Sequence, residues 1–171
     1  MVIHLTGLWL VLIDFCTWLT IHVVVSCAIA HPPVRVFDPE SWLYRQRGWE
    51  RNGRTYEVLF HPKKWKEILP DGAALFESGF RKKRLQSADA SYLAEFVRET
   101  CRAEVTHWAI FFCAPFFFIW NPWHIGVVMI AYASFVNMPC IITQRYNRIR
   151  MNRLLRNQRL SSEAPTQEEL R

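Results

Sequence analysis

A chain of 171 residues with 51% hydrophobic and 15% aromatic content, including 8 Trp, is long enough for one domain and too apolar for an ordinary soluble one. Its formal charge of +6 invites a nucleic-acid reading, but the 21 Lys and Arg fall in two blocks, 14 between Pro32 and Glu104 and 7 from Gln144 onward. By the positive-inside rule both blocks are cytoplasmic, and no basic stripe with interleaved aromatics stands apart from that signal, which argues against nucleic acid as a partner.

Residues 1–30 read as a retained transmembrane helix with an outside N-terminus. Ala28-Ile29-Ala30 is a small-x-small cleavage pattern, but no Lys or Arg precedes the apolar run, and the run exceeds a signal-peptide core. Asp14 lies near the middle of this span, where a carboxylate costs about 2.5–3.5 kcal/mol on insertion scales unless paired or protonated. It is expected to face the protein interior, as a structural bond to a Thr, His or Trp or in a functional role. His4 and His22, towards the ends, read as interfacial or structural.

Residues 31–104 form the expected cytoplasmic and interfacial region. Asp38-Pro39-Glu40 has the N-cap and first-turn proline of a helix start, with Trp42, Leu43 and Tyr44 following at the membrane surface. Asn52-Gly53, with Tyr56, Val58 and Phe60 alternating after it, predicts a small β-hairpin. His61-Pro62 opens a second short helix carrying Trp65, Ile68 and Leu69, stopped by Pro70-Asp71-Gly72. The run Arg81-Lys82-Lys83-Arg84 suits anionic headgroups, donor phosphates or a solvated flank alike. From about Asp89 a long helix carries Tyr92, Leu93, Phe96, Val97, Thr100 and Cys101 on one buried face. That face continues to Glu104, His107, Trp108 and Phe111.

Residues 105–143 predict a transmembrane hairpin turning at Asn121-Pro122-Trp123-His124. Each leg is near the length that crosses about 30 Å of hydrocarbon. Pro115 and Pro139 kink the legs, and Asn137 is placed to meet a carbonyl freed by Pro139. Residues 144–171 read as a basic amphipathic helix on the inner surface and a disordered tail. The fold class is therefore mainly α: about three transmembrane helices, a cytoplasmic region of short helices with one β-hairpin, and a basic C-terminal helix. The five cysteines, with no C-x-x-C pair, form neither a disulfide frame nor a zinc site, and no metal site is expected.

Chemistry concentrates where Glu104 and His107 enter the hairpin and Arg145 and Arg148 leave it. A carboxylate that fixes the imidazole tautomer makes His107 a general base with Glu104 its partner. Arg145, Arg148 or Asn137 would then meet an oxyanion or a donor phosphate, with Arg102 and Asn147 in the same substrate-binding set. That suits acyl transfer onto an alcohol. An interfacial salt-bridge cluster that closes the bundle would use the same residues, and so would a non-catalytic membrane subunit that docks lipid enzymes. One Glu-x-x-His is half of a di-iron site, but the second copy is absent.

Arg102-Ala103-Glu104 with His107-Trp108, Asn137 with Pro139, and Gln144-Arg145-Tyr146-Asn147-Arg148, together with Trp65-Lys66 and Asp71-Gly72, resemble the glycosyl-4,4'-diaponeurosporenoate acyltransferase family. The resemblance runs from about Glu50 to Leu155. It implies a multi-pass cell-membrane enzyme that moves a fatty acyl chain to the sugar C6 hydroxyl of a glycosylated C30 carotenoid acid or related glycolipid. The donor would be an acyl-CoA or acyl carrier protein thioester, with no cofactor besides that substrate.

Overall fold

Among the described residues there are four α-helices: α1 (Gly7–Ala30), α2 (Arg54–Phe60), α3 (Ala90–Phe112) and α4 (Trp123–Glu163). The computed structural model describes residues 7–62 and 89–163, and among them there is no strand. The expected helix after Pro62, its stop at Pro70-Asp71-Gly72, the Arg81–Arg84 run, His4 and the polar end around Pro165 lie outside the described residues. The chain divides into two units, Met1–Val36 with Arg102–Ile142, and Phe37–Cys101 with Thr143–Arg171.

In the first unit, α1 inverts the pattern of a soluble helix. Leu8, Trp9, Val11, Leu12, Phe15, Leu19, Val23 and Val24 are exposed, while its buried residues are Asp14 and Trp18. Polar groups inside and apolar groups outside is the arrangement a hydrocarbon solvent selects. Trp18 stacks on Phe117 with ring centroids 4.6 Å apart, and the core around it contains Ile110, Ala114 and Ala133. Its indole N–H points to Met129 Sδ at 3.3 Å. Asp14 Oδ1 accepts from Trp120 Nε1 and Asn121 Nδ2, both at 2.8 Å.

The leg expected over 105–120 is not one continuous α-helix. α3 ends at Phe112, and Ala114–Ile119 is a 3-10 helix with Pro115 in its first turn. A proline there has no N–H for the α-helical bond to Phe111 and crowds that carbonyl, so the chain tightens into another winding. Among the described residues two helices, α1 and α4, are long and apolar enough to cross a membrane. In α4, Asn137 does not meet the carbonyl freed by Pro139; its amide donates to Ala133 O at 2.9 Å.

In the second unit the predicted β-hairpin is helical. Gly48–Gly53 is a 3-10 turn with Arg51, Asn52 and Gly53 all at positive φ, and α2 follows at once. Asn and Gly tolerate that left-handed winding as readily as they do a hairpin turn, and two strands alone are marginally stable in water. Tyr56 is buried while Val58, Leu59 and Phe60 are exposed, so the alternation was one inward residue of a short helix. Asp38 also makes a turn rather than capping a helix, its Oδ1 accepting from Glu40 N at 3.0 Å. Of the expected α3 face, Leu93, Phe96, Val97, Thr100, Cys101 and Glu104 are buried, and Tyr92, His107, Trp108 and Phe111 are half-buried. Leu93, Phe96 and Val97 pack on Met151, flanked by Tyr92 and Leu155.

Candidate active site

α3 and α4 carry the polar residues that the sequence singles out, in two clusters. In the first unit Glu104 is fully buried and its Oε1 lies 3.4 Å from the donor Trp108 Nε1, one turn further along α3. His107, half-buried, places Nδ1 3.0 Å from Asn137 Oδ1. Asn137 is buried, and because its Nδ2 is committed to Ala133 O, its Oδ1 is left as acceptor. Nδ1 of His107 is then the donor, so in the neutral ring Nε2 is the basic nitrogen. The residue thought to touch substrate, Asn137, is thus the one that sets the tautomer of the expected base.

In the second unit Arg145 is anchored by a residue that sequence reasoning passed over. Its Nε donates to Glu50 Oε1 at 3.0 Å and its Nη1 reaches Leu43 O at 3.4 Å. Glu50 is fully buried and also accepts from Tyr56 Oη at 2.6 Å and from the Arg47 amide. Burial pushes the Glu50 carboxyl up, but the bonds from Tyr56, Arg145 and Arg47 outweigh it and hold the carboxyl below its usual range. The same desolvation and the same bond push the Tyr56 hydroxyl well above its usual range. Tyr146 Oη donates to Glu57 at 2.5 Å, and its ring packs where Gly53 leaves room, a Cβ there lying 3.5 Å away.

Arg148 is 2% exposed, with Nη1 3.7 Å from Cys101 Sγ and its guanidinium 5.4 Å from the centre of the Tyr44 ring. Asn147 is buried beside it in sequence, and Arg102, half-buried on α3, accepts from the Thr106 hydroxyl through its carbonyl. Thr143 Oγ1 and Gln144 Oε1 are buried without a hydrogen-bond partner among the described residues. No group of three or more His, Cys, Asp or Glu able to hold a metal ion occurs among them. Glu50 escaped notice because it lay inside the misread hairpin, and its partner is 95 positions away. The unpartnered oxygens of Thr143 and Gln144 leave no sequence signal at all.

The profile of the glycosyl-4,4'-diaponeurosporenoate acyltransferase family matches residues 39–157, a span that holds Glu50, Glu104, His107, Asn137, Arg145 and Arg148 but not α1. A glycosyl-4,4'-diaponeurosporenoate acyltransferase of Staphylococcus aureus (strain USA300) is 29% identical over 144 residues, covering 83% of this chain and 87% of the relative. One from Staphylococcus haemolyticus (strain JCSC1435) is 31% identical over 140 residues, covering 82% and 81%. No solved structure matches the chain. With its profile spanning both polar clusters and relatives alike over most of both lengths, the chain belongs to the glycosyl-4,4'-diaponeurosporenoate acyltransferase family and is an acyltransferase.

Proposed function

We propose that this protein works in the cell membrane, moving a fatty acyl chain from a CoA or carrier-protein thioester to a sugar hydroxyl of a glycosylated carotenoid or related glycolipid. The observation that carries the reading is the His107–Asn137 bond at 3.0 Å: with Nδ1 donating to Asn137, Nε2 is the basic nitrogen that takes the proton of the attacking hydroxyl. That hydroxyl attacks the thioester carbonyl, the tetrahedral oxyanion collapses, and the thiolate leaves with the proton returned by the imidazolium. Buried Glu104, on the same helix face, favours the imidazolium as it forms. Arg145, Arg148, Arg102 and Asn147 are assigned to the donor phosphate or the polar head of the acceptor, where guanidinium offers paired donors. Thr143 Oγ1 and Gln144 Oε1 supply acceptors for sugar hydroxyls.

The membrane reading rests on the exposed apolar surface of α1 and on the one-sided distribution of Lys and Arg. A third crossing is supplied by residues 105–119. Eight residues of α3 rise about 12 Å and the six-residue 3-10 segment about another 12 Å. Asp14 to Ala30 on α1 rises about 24 Å, the same span.

The test is mass spectrometry of membrane lipids from cells with and without the gene, together with turnover by the purified protein. An acyl-sized mass gain on a glycosylated acceptor, dependent on the gene, is expected; an unchanged lipid profile overturns the acceptor class. Arg145→Lys keeps the charge and loses the fork, so it should raise the apparent KM for the donor or acceptor. An unchanged KM in a folded Arg145→Lys protein leaves Arg145 with the Glu50 bond alone.

A further inference from the structure

In the first unit, α1 and α4 line a groove of about 850 Å³ to which neither His107 nor Asn137 contributes. That volume is within the range of small-molecule sites. α1 lines it from Gly7 to His22, a length of about 22 Å, and α4 lines it from Ile125 to Tyr132. The lining is apolar apart from the Asp14–Asn121 pair, the His22 imidazole, whose Nδ1 lies 2.8 Å from Trp18 O, and the Tyr132 hydroxyl. Asn121 is 7% exposed and donates Nδ2 to Asp14, but its Oδ1 has no partner among the described residues. A buried amide carbonyl with no donor is costly, and a hydrocarbon surround has no water to supply one. The occupant therefore carries an O–H or N–H at the level of Asn121 and is apolar along the rest of the groove. None of the lining residues is a Lys or Arg that could pair a phosphate or carboxylate head, so the head is neutral.

We propose that this groove binds a neutral amphiphile with one long hydrocarbon chain and a hydroxyl head, the hydroxyl donating to Asn121 Oδ1 and the chain lying between α1 and α4. The site is separate from His107 and rests only on the reading that α1 and α4 lie in a membrane. Its neutral alcohol head distinguishes it from a surface that bulk phospholipid tails merely cover.

The experiment uses the full chain in phosphatidylcholine nanodiscs with three photoreactive probes of equal chain length: a diazirine-bearing hexadecanol, the matching hexadecane, and the matching hexadecanoate at alkaline pH. Cross-linked peptides are read by mass spectrometry. The alcohol should label the Ile125–Tyr132 segment saturably, with the alkane and the carboxylate weaker by about tenfold, and Asn121→Leu should lower alcohol labelling by about as much. Val128→Trp, at an exposed position in the groove, should block labelling with Asn121 intact. Equal labelling by alcohol and alkane overturns the site, as does equal labelling by the carboxylate. If Asn121→Leu does not fold, Val128→Trp decides alone, and saturable labelling that survives it also overturns the site. His107→Ala should label normally, so failure of the groove and failure of the transferase mechanism are read separately.

Discussion

His107 depends on Asn137 for its tautomer, and the dependence is testable residue by residue. His107→Ala should lower turnover by roughly 10²–10⁴, the usual worth of a positioned general base, at a normal protein level. Near-normal acylation by that variant would return the cluster to a structural role. Asn137 is a positioning residue: Asn137→Asp keeps an acceptor for Nδ1–H and should retain more turnover than Asn137→Leu. Its carboxylate should also move the acid limb of the pH–rate profile upward, because it favours the imidazolium and a general base must be neutral. An unmoved limb argues that Asn137 does not touch the base. Glu50 carries a pH dependence of stability instead. Its carboxyl is held below the ordinary 4.5, so its contribution is fully present above that pH and fades as the pH falls through its lower folded value. Glu50→Gln should cost about 1–3 kcal/mol near neutrality and flatten this acid limb in detergent melts. The charge pattern shows none of this, because the bond that matters joins residues 50 and 145.

The elements are held by close contacts at a few places. A Cβ added at Gly126 would lie 2.5 Å from the Phe118 ring, so the 3-10 segment packs directly on the α4 backbone. Gly126→Ala should destabilise by about 1–3 kcal/mol as the ring is forced aside, and Gly126→Val by more. If both variants melt at the wild-type temperature, the ring has somewhere to go and the contact does not hold the segment. Long apolar runs announced α1 and the first part of α4, and the 3- and 4-residue spacing announced α3, because a long helix carries its signal over many turns. Periodicity misread residues 49–60, where three residues of alternation fit a strand or one buried position of a short helix equally well. The break at Pro115 was foreseen as a kink; the structure ends α3 at Phe112 and continues as a 3-10 helix whose Phe117 stacks on Trp18.

For the whole molecule, the distribution of basic residues predicts that residues 32–104 and the C-terminal segment share the cytoplasmic side, with Asn121 opposite. A cysteine at Lys83 in a background lacking the native cysteines should be unreachable by an impermeant thiol reagent outside intact cells, and one at Trp123, which is exposed, should react. Ready labelling at Lys83 would invert the topology and revive a cleaved leader. Sequence alone determined the apolar helices, the charge asymmetry, the buried face of α3 and the family, since each is written in local composition, spacing or motif. Only the tertiary structure decided that Asp14 meets Trp120 and Asn121, that His107 leans on Asn137, and that Arg145 is held by Glu50. Those pairings join residues 106, 30 and 95 positions apart. A buried polar group must find a partner wherever packing puts one, and distance along the chain does not record that choice.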